Sequence, residues 1–189
     1  MNHPRSMFNV EIDNSQRSIV IDEGFLRDVV EKTLEAERVV AAQISVAIVD
    51  DPTIHELNRQ YLSHDYATDV LSFLLECEEI NAEVPSEDEP RGSGKRIDGE
   101  VIVSAETAVR RAAEFQWTPR QELVLYIVHG LLHLVGYDDQ SEAEKSLMRS
   151  RERTILTCRH FSVGDGSERG GVAECQSTKT AGETSGGDS

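Results

Sequence analysis

His129-Gly-Leu-Leu-His133-Leu-Val-Gly136-Tyr-Asp-Asp139 closes an apolar run that begins at Leu123. Two imidazoles four residues apart on a helix share one face, with Cβ atoms roughly 6 Å apart, a bite that one metal ion can bridge. Gly136 stands where such a helix would end in a left-handed turn. Asp139, three residues on, offers a carboxylate that the reversed chain can return toward the same ion. Two His and one Asp leave a fourth position open. The competing reading, two core histidines satisfied by carbonyls, makes the spacing, the glycine and the carboxylate a threefold coincidence.

Working outward, Thr118-Pro119-Arg120-Gln121 is a capping box with Pro at the first helical position and opens the helix that carries the histidines. Ser141-Glu-Ala-Glu144 is a second capping box, so Asp139 sits in a short connection pinned between two helix ends. Upstream, Ser104 can cap a helix running to about Phe115, and Gly99–Ser104 reads as the strand before it. Residues 77–98 are acidic, carry Pro, Gly and Ser, and have no period, which predicts a long mobile loop. Asp69–Leu75 reads as a buried strand whose alternation sets Val70, Ser72 and Leu74 on one face and Asp69, Leu71 and Phe73 on the other. Asp51-Pro52 predicts the capped start of a short helix carrying Ile54, Leu57 and Tyr61 inward, and Gln43–Asp50 alternates as a strand. Phe25, Leu26, Val29, Val30, Thr33 and Leu34 recur at helical spacing. Nearer the start, Phe8, Val10 and Ile12 alternate and Ser18–Ile21 forms a second β-like run, so either or both can be strands. One domain over 1–160 is expected, with 161–189, poor in large apolar residues, as a disordered tail.

A formal charge of -16 ordinarily argues against a nucleic-acid partner, because phosphate binding depends on Lys and Arg. Part of that charge is local, however: Glu76, Glu78, Glu79, Glu83, Glu87, Asp88 and Glu89 fall together with no basic residue among them, whereas Arg149, Arg151, Arg153 and Arg159 cluster in the last helical stretch. Cys77, Cys158 and Cys175 are odd in number and form no C-x-x-C pair, which disfavours a disulfide framework or a cysteine zinc site. With no signal-like apolar start and no uninterrupted membrane-length run, the expectation is a soluble cytoplasmic protein.

The string H-x-x-x-H-x-x-G-x-x-D has the ligand spacing of metzincin proteases. Those enzymes carry a Glu next to the first His as general base, and here that position is Gly130. Together with Leu57-Asn-Arg-Gln-Tyr61, Thr68-Asp-Val-Leu-Ser-Phe73 and Gly99-Glu-Val-Ile-Val-Ser104, the stretch His129–Asp138 resembles the YbeY family of metal-dependent endoribonucleases, over most of the chain up to about residue 157. The resemblance implies a single-domain α+β fold, a roughly four-stranded mixed sheet packed by about five helices, with the metal site at the end of the central buried helix. It also implies one divalent metal ion, usually taken as zinc, for which the spacing here offers His129, His133 and Asp139 as ligands. The implied substrate is single-stranded RNA, in ribosomal RNA maturation and ribosome quality control, with the small ribosomal subunit or its factors as partners and no membrane.

Three positions depart from the family pattern. Asp139 stands where the family has a third His, which lowers the net charge of the metal centre from about +2 to about +1 and should weaken its Lewis acidity. Leu62 replaces the Arg that follows the Tyr of the first motif; Arg59, three residues earlier on the same helix face, is the candidate to take over its phosphate-facing role. Glu100 replaces an Asp, keeping the charge on a longer arm. Glu100 and Ser72 are the candidate groove residues; a strand-entrance role for Asp69 and a packing role for Trp117 and Tyr137 are the readier readings, and His3, His55, His64 and His160 read as surface histidines. Without a Glu at 130, activation falls to the metal, by acidifying a water or polarising a phosphate oxygen. A metalloprotease and a non-catalytic ribosome-binding factor with a structural metal are the alternatives.

Overall fold

A helix apolar on every side has to be enclosed, and the run around His129 is. In the computed structural model, which describes residues 7–80, 89–158 and 176–179, the helix Pro119–Val135 buries every residue from Glu122 to Val135. In chain order the elements are β1 (Phe8–Asn14), α1 (Glu23–Ala36), β2 (Ala41–Val49), α2 (Asp51–Leu62), β3 (Val70–Glu79), β4 (Lys95–Ser104), α3 (Ala105–Glu114), α4 (Pro119–Val135), α5 (Glu142–Cys158) and β5 (Gln176–Lys179). The sheet runs β1-β2-β4-β3-β5. β1, β2 and β4 are parallel and β3 returns antiparallel to β4, which makes the expected four-stranded mixed sheet; the short β5 adds to its β3 side, parallel.

The two faces of this sheet are covered unequally. Val70, Val101, Val103 and Ile97 join α1, α3, α4 and α5 in one large core. On the other face Leu71 and Ile102 pack with Val49 and Ile54 of β2 and α2 in a small cluster, with Phe73 against its margin. α4 lies unusually close to the sheet because residue 130 has no side chain: a Cβ there would stand 2.7 Å from Val101 Cγ1 and 3.2 Å from Val70 Cγ2.

Several local expectations change. Ser18–Ile21 is not a strand, although Ile19 is buried. The cap of α2 is Asp50, whose side chain accepts from Thr53 N, and Asp51 is drawn instead to Ser104, Thr107 and Arg110 at the start of α3. Tyr61 does not point inward; it is 58% exposed and stands edge-on to Phe73. The loop expected over 77–98 is largely an antiparallel ladder, with Cys77 opposite Ile97, Glu78 opposite Arg96 and Glu79 opposite Lys95, beyond a bulge between Leu74 and Glu76. Opposite charges across the two strands support that pairing where apolar alternation gives no signal. Residues 81–88 of that loop, and the expected tail apart from Gln176–Lys179, which form β5, lie outside the described residues.

Candidate metal centre

The end of α4 is shaped by its glycine. Gly136 adopts a left-handed conformation at φ 110°, its N–H donates to His133 O at 3.0 Å and the Tyr137 N–H to Leu132 O at 3.0 Å. This closing pattern reverses the chain within two residues. It carries Asp139 back, so that one ligand atom each from His129, His133 and Asp139 lies within 4.8 Å of the others. The three are 3%, 6% and 8% exposed, a nearly dry setting in which a charge needs a partner.

The two rings meet through Nε2, at 3.1 Å. Each Nδ1 is already engaged: His129 Nδ1 with Glu152 Oε1 at 2.6 Å, and His133 Nδ1 with Tyr137 O at 3.1 Å. A carbonyl or an ionised carboxylate can only accept, so both Nδ1 atoms donate. Burial, then the neighbouring His129, pushes the His133 pKa down to about 3, which keeps that ring neutral with its lone pair on Nε2. The 3.1 Å contact is a hydrogen bond in which the neutral His133 ring can accept; with both rings neutral a shared cation would replace the proton, two bonds of about 2.05 Å at a tetrahedral angle separating the nitrogens by roughly 3.3 Å. The donor set therefore fits one divalent ion, and the carboxylate behind His129 is the customary outer support that fixes a ligand's tautomer.

That support, Glu152, was missed from the sequence. The available signal was its position: it falls on the apolar stripe of α5 with Met148 and Ile155, all three buried, where an acid is out of place unless something pairs it. The neighbouring Arg151 donates to Glu37 and to Ala36 O at the end of α1, fixing how α5 lies. The capping box expected at Ser141 is half formed. Glu144 N donates to Ser141 Oγ at 3.2 Å, while the Glu144 carboxylate turns to Arg91.

The other candidates are divided between the faces. Ser72 is buried between Val70 and Leu74 on the α4 side. Asp69, also buried, accepts from Thr68 Oγ1 and Val70 N; burial raises its pKa, and the field of His129 opposes that rise. Glu100 lies opposite Phe73 on the α2 side, and Arg59 of α2 is exposed and paired with Glu56. Gly130 explains the missing base: its direction is filled by Val70 and Val101, so no Glu can stand there in this fold.

Beside His133 a cavity of about 380 Å³ opens between α4 and the β3–β4 hairpin, lined among others by Leu74, Cys77, Arg91, Lys95, Tyr137 and Asp138. Arg91 donates to Gly136 O at 2.9 Å and Glu144 Oε1 at 3.0 Å and lies 5.0 Å over the Tyr137 ring; Lys95 Nζ donates to Val135 O at 2.9 Å. None of the described helices is long and apolar enough to cross a membrane.

Fold and site thus define a single-domain α+β protein with a buried two-His, one-Asp cluster able to hold a metal ion. The chain belongs to the endoribonuclease YbeY family, which residues 11–159 match. An endoribonuclease YbeY from Salinibacter ruber is 41% identical over 147 residues, 78% of this chain and 89% of the relative. One from Pelotomaculum thermopropionicum is 38% identical over 153 residues, covering 78% and 94%. A solution structure from Thermotoga maritima, 24% identical, superposes with a TM-score of 0.50 over 85% of this chain and all of its own, a likeness of fold.

Proposed function

We propose that this chain is a metal-dependent endoribonuclease that cuts single-stranded RNA, acting in ribosomal RNA maturation and ribosome quality control. The observation that carries the metal dependence is the pair of Nε2 atoms 3.1 Å apart with both Nδ1 atoms committed elsewhere. The RNA substrate is supported by the family to which the chain belongs. His129, His133 and Asp139 would hold one ion, with Zn2+ the best fit to two imidazoles and a carboxylate in a small dry site. Bound there, the ion supplies Lewis acidity toward a phosphate oxygen and acidifies a water.

The chain's own residues set the rest. Glu152 accepts a hydrogen bond from His129 Nδ1 and the Tyr137 carbonyl from His133 Nδ1, so both rings are oriented with Nε2 toward the site, where it can ligate once deprotonated. Asp139 contributes a negative charge where the family has a neutral ring, so activity is expected at higher pH than in relatives with three histidines, or with another divalent ion. Glu100, on the α2 side, is proposed to border the RNA path; Ser72, fully buried on the α4 side, would act only by supporting the strand behind it. Arg59 is proposed to face a phosphate, which requires the strand to reach the α2 side of the sheet. A cytoplasmic location and contact with the small ribosomal subunit belong to the same proposal.

Elemental analysis of the purified chain beside Asp139→Ala, with single-stranded RNA and casein as parallel substrates, tests the reading. One ion per chain, a lower content in the variant and cleavage of RNA alone are expected. Equal metal in both proteins would remove Asp139 from the ligand set, and stoichiometric metal with no RNA cleavage at any pH would leave a structural metal in a binding factor.

A further inference from the structure

Among the described residues, salt bridges hold nine of the nineteen Lys and Arg residues of this acidic chain. Lys32, Arg38, Arg59, Arg91, Arg96, Arg110, Arg111, Lys145 and Arg151 each pair with a carboxylate. Lys95 faces Glu79 across the β3–β4 ladder but makes no salt bridge within 4 Å among the described residues, and it stands at the cavity that His133 lines. Its side chain is on the α4 face of β4, two residues before the buried Ile97, and its ammonium reaches the last turn of α4. One of its three N–H groups is used by Val135 O, which leaves two for a ligand. Of the acids of the same cavity, Glu144 is paired with Arg91, and one oxygen of Asp138 accepts from the Asp139 N–H at 2.7 Å.

We propose that this cavity is a subsite of the nuclease for the phosphodiester next to the scissile one, and that Lys95 binds that phosphate. The proposal rests on the endoribonuclease reading and deepens it. An anion entering a chain of net charge -16 needs local positive charge, and beside the metal-ligand histidine the Lys95 ammonium supplies it. The volume of about 380 Å³ is enough for a nucleotide-sized group, with Leu74 and Tyr137 as its apolar walls. Arg91 is a positioning residue: with its donors given to Gly136 O and Glu144 and its plane over Tyr137, it ties the turn before β4 to α4 and α5 and so holds Lys95 at the cavity.

The test compares the full chain with Lys95→Gln and Lys95→Arg. Binding of a labelled single-stranded RNA is measured against salt with metal removed by chelator, and cleavage of the same RNA with Zn2+ restored. Lys95→Gln is expected to weaken binding about tenfold and to reduce the slope of log affinity against log salt by about 0.7, one phosphate contact on a single strand. KM should rise with kcat nearly unchanged, the mark of a contact made equally in ground and transition states. Lys95→Arg should restore both. Unchanged affinity and slope in a folded Lys95→Gln would overturn the proposal. Because Lys95 also caps α4, a second measurement uses the unaltered protein: 4-thiouridine RNA should crosslink to peptides spanning Arg91–Ile97 and His133–Asp138, and crosslinks confined to other surfaces would overturn it equally. Failure of the unaltered chain to bind or cut RNA would sink the nuclease reading as well, whereas cleavage without any Lys95 effect sinks only the subsite.

Discussion

The sheet has one face that is fixed and one that is free. On the α4 side, a helix buried all round lies so close that position 130 admits no Cβ, and three prospective metal ligands are almost sealed from water. On the α2 side the cluster is four buried residues with a few apolar neighbours, and both Tyr61 and Arg59 stand in solvent. A ligand set must be held within fractions of an ångström, and here close packing supplies that on the first face. The second face can change side chains at little cost to the fold, which fits a chain that has Leu62 where the family's Arg is expected.

The contrast is broken most severely from behind the histidines. Glu152→Gln keeps the shape of the group that receives His129 Nδ1 but removes its charge, and metal affinity is expected to fall by about 10- to 100-fold. Competition with a metallochromic chelator measures it; unaltered affinity would mean that Glu152 does not govern the ring. Gly130→Ala strikes the packing itself. A methyl 2.7 Å from Val101 Cγ1 must displace a β-branched strand residue, and after Ala's better helix propensity is credited the variant should lose about 1 to 2 kcal/mol in urea unfolding. Gain of stability would show that α4 can lift off the sheet.

What could be read from the sequence follows the range of the forces involved. α4, its capping box at Thr118 and its glycine stop were legible because spacing and caps act within a turn or two. The facing of β3 was legible too, since alternation needs no knowledge of the partner strand, and Val70 and Leu71 do fall into opposite clusters. Asp50 and Asp51 could not be told apart as caps. The choice is made by Ser104 and Thr107, more than fifty positions away, which take Asp51 for the junction of α2 with α3. Nor could Glu152 be assigned, because its partner lies 23 residues back on another helix and only the finished packing of α5 on α4 joins them. The hairpin beyond Leu75 was hidden because its strands match by charge rather than by hydrophobic period.

The fixed face should also be the one that feels pH. The His133 pKa is depressed in the fold, from 6.5 to about 3, chiefly by burial, so below 6.5 the unfolded chain binds a proton that the folded chain refuses. Stability of the metal-free protein from this ring is therefore complete above 6.5 and is lost as the pH falls toward 3, with a slope of at most about 1.4 kcal/mol per pH unit. Urea unfolding in chelator across that range should show the loss, and His133→Gln should flatten it. An equal slope in the variant would place the titrating group elsewhere.

The smallest effect on the fold is expected across the sheet, where it can also be the most informative. Arg59→Ala removes an exposed pair with Glu56, so stability should change by less than about 0.5 kcal/mol, and metal content should not change, since α2 carries none of the three ligands. If RNA passes over the α2 face and Arg59 meets a phosphate, cleavage should still fall about tenfold, the worth of roughly 1.4 kcal/mol in the barrier. A single-turnover assay with saturating Zn2+ separates this from binding. Unchanged cleavage would confine the RNA to the α4 side and end the case for Arg59 as a replacement for the residue missing at Leu62. A loss of rate with metal and stability intact would show that the freer face takes part in the chemistry that the fixed face anchors.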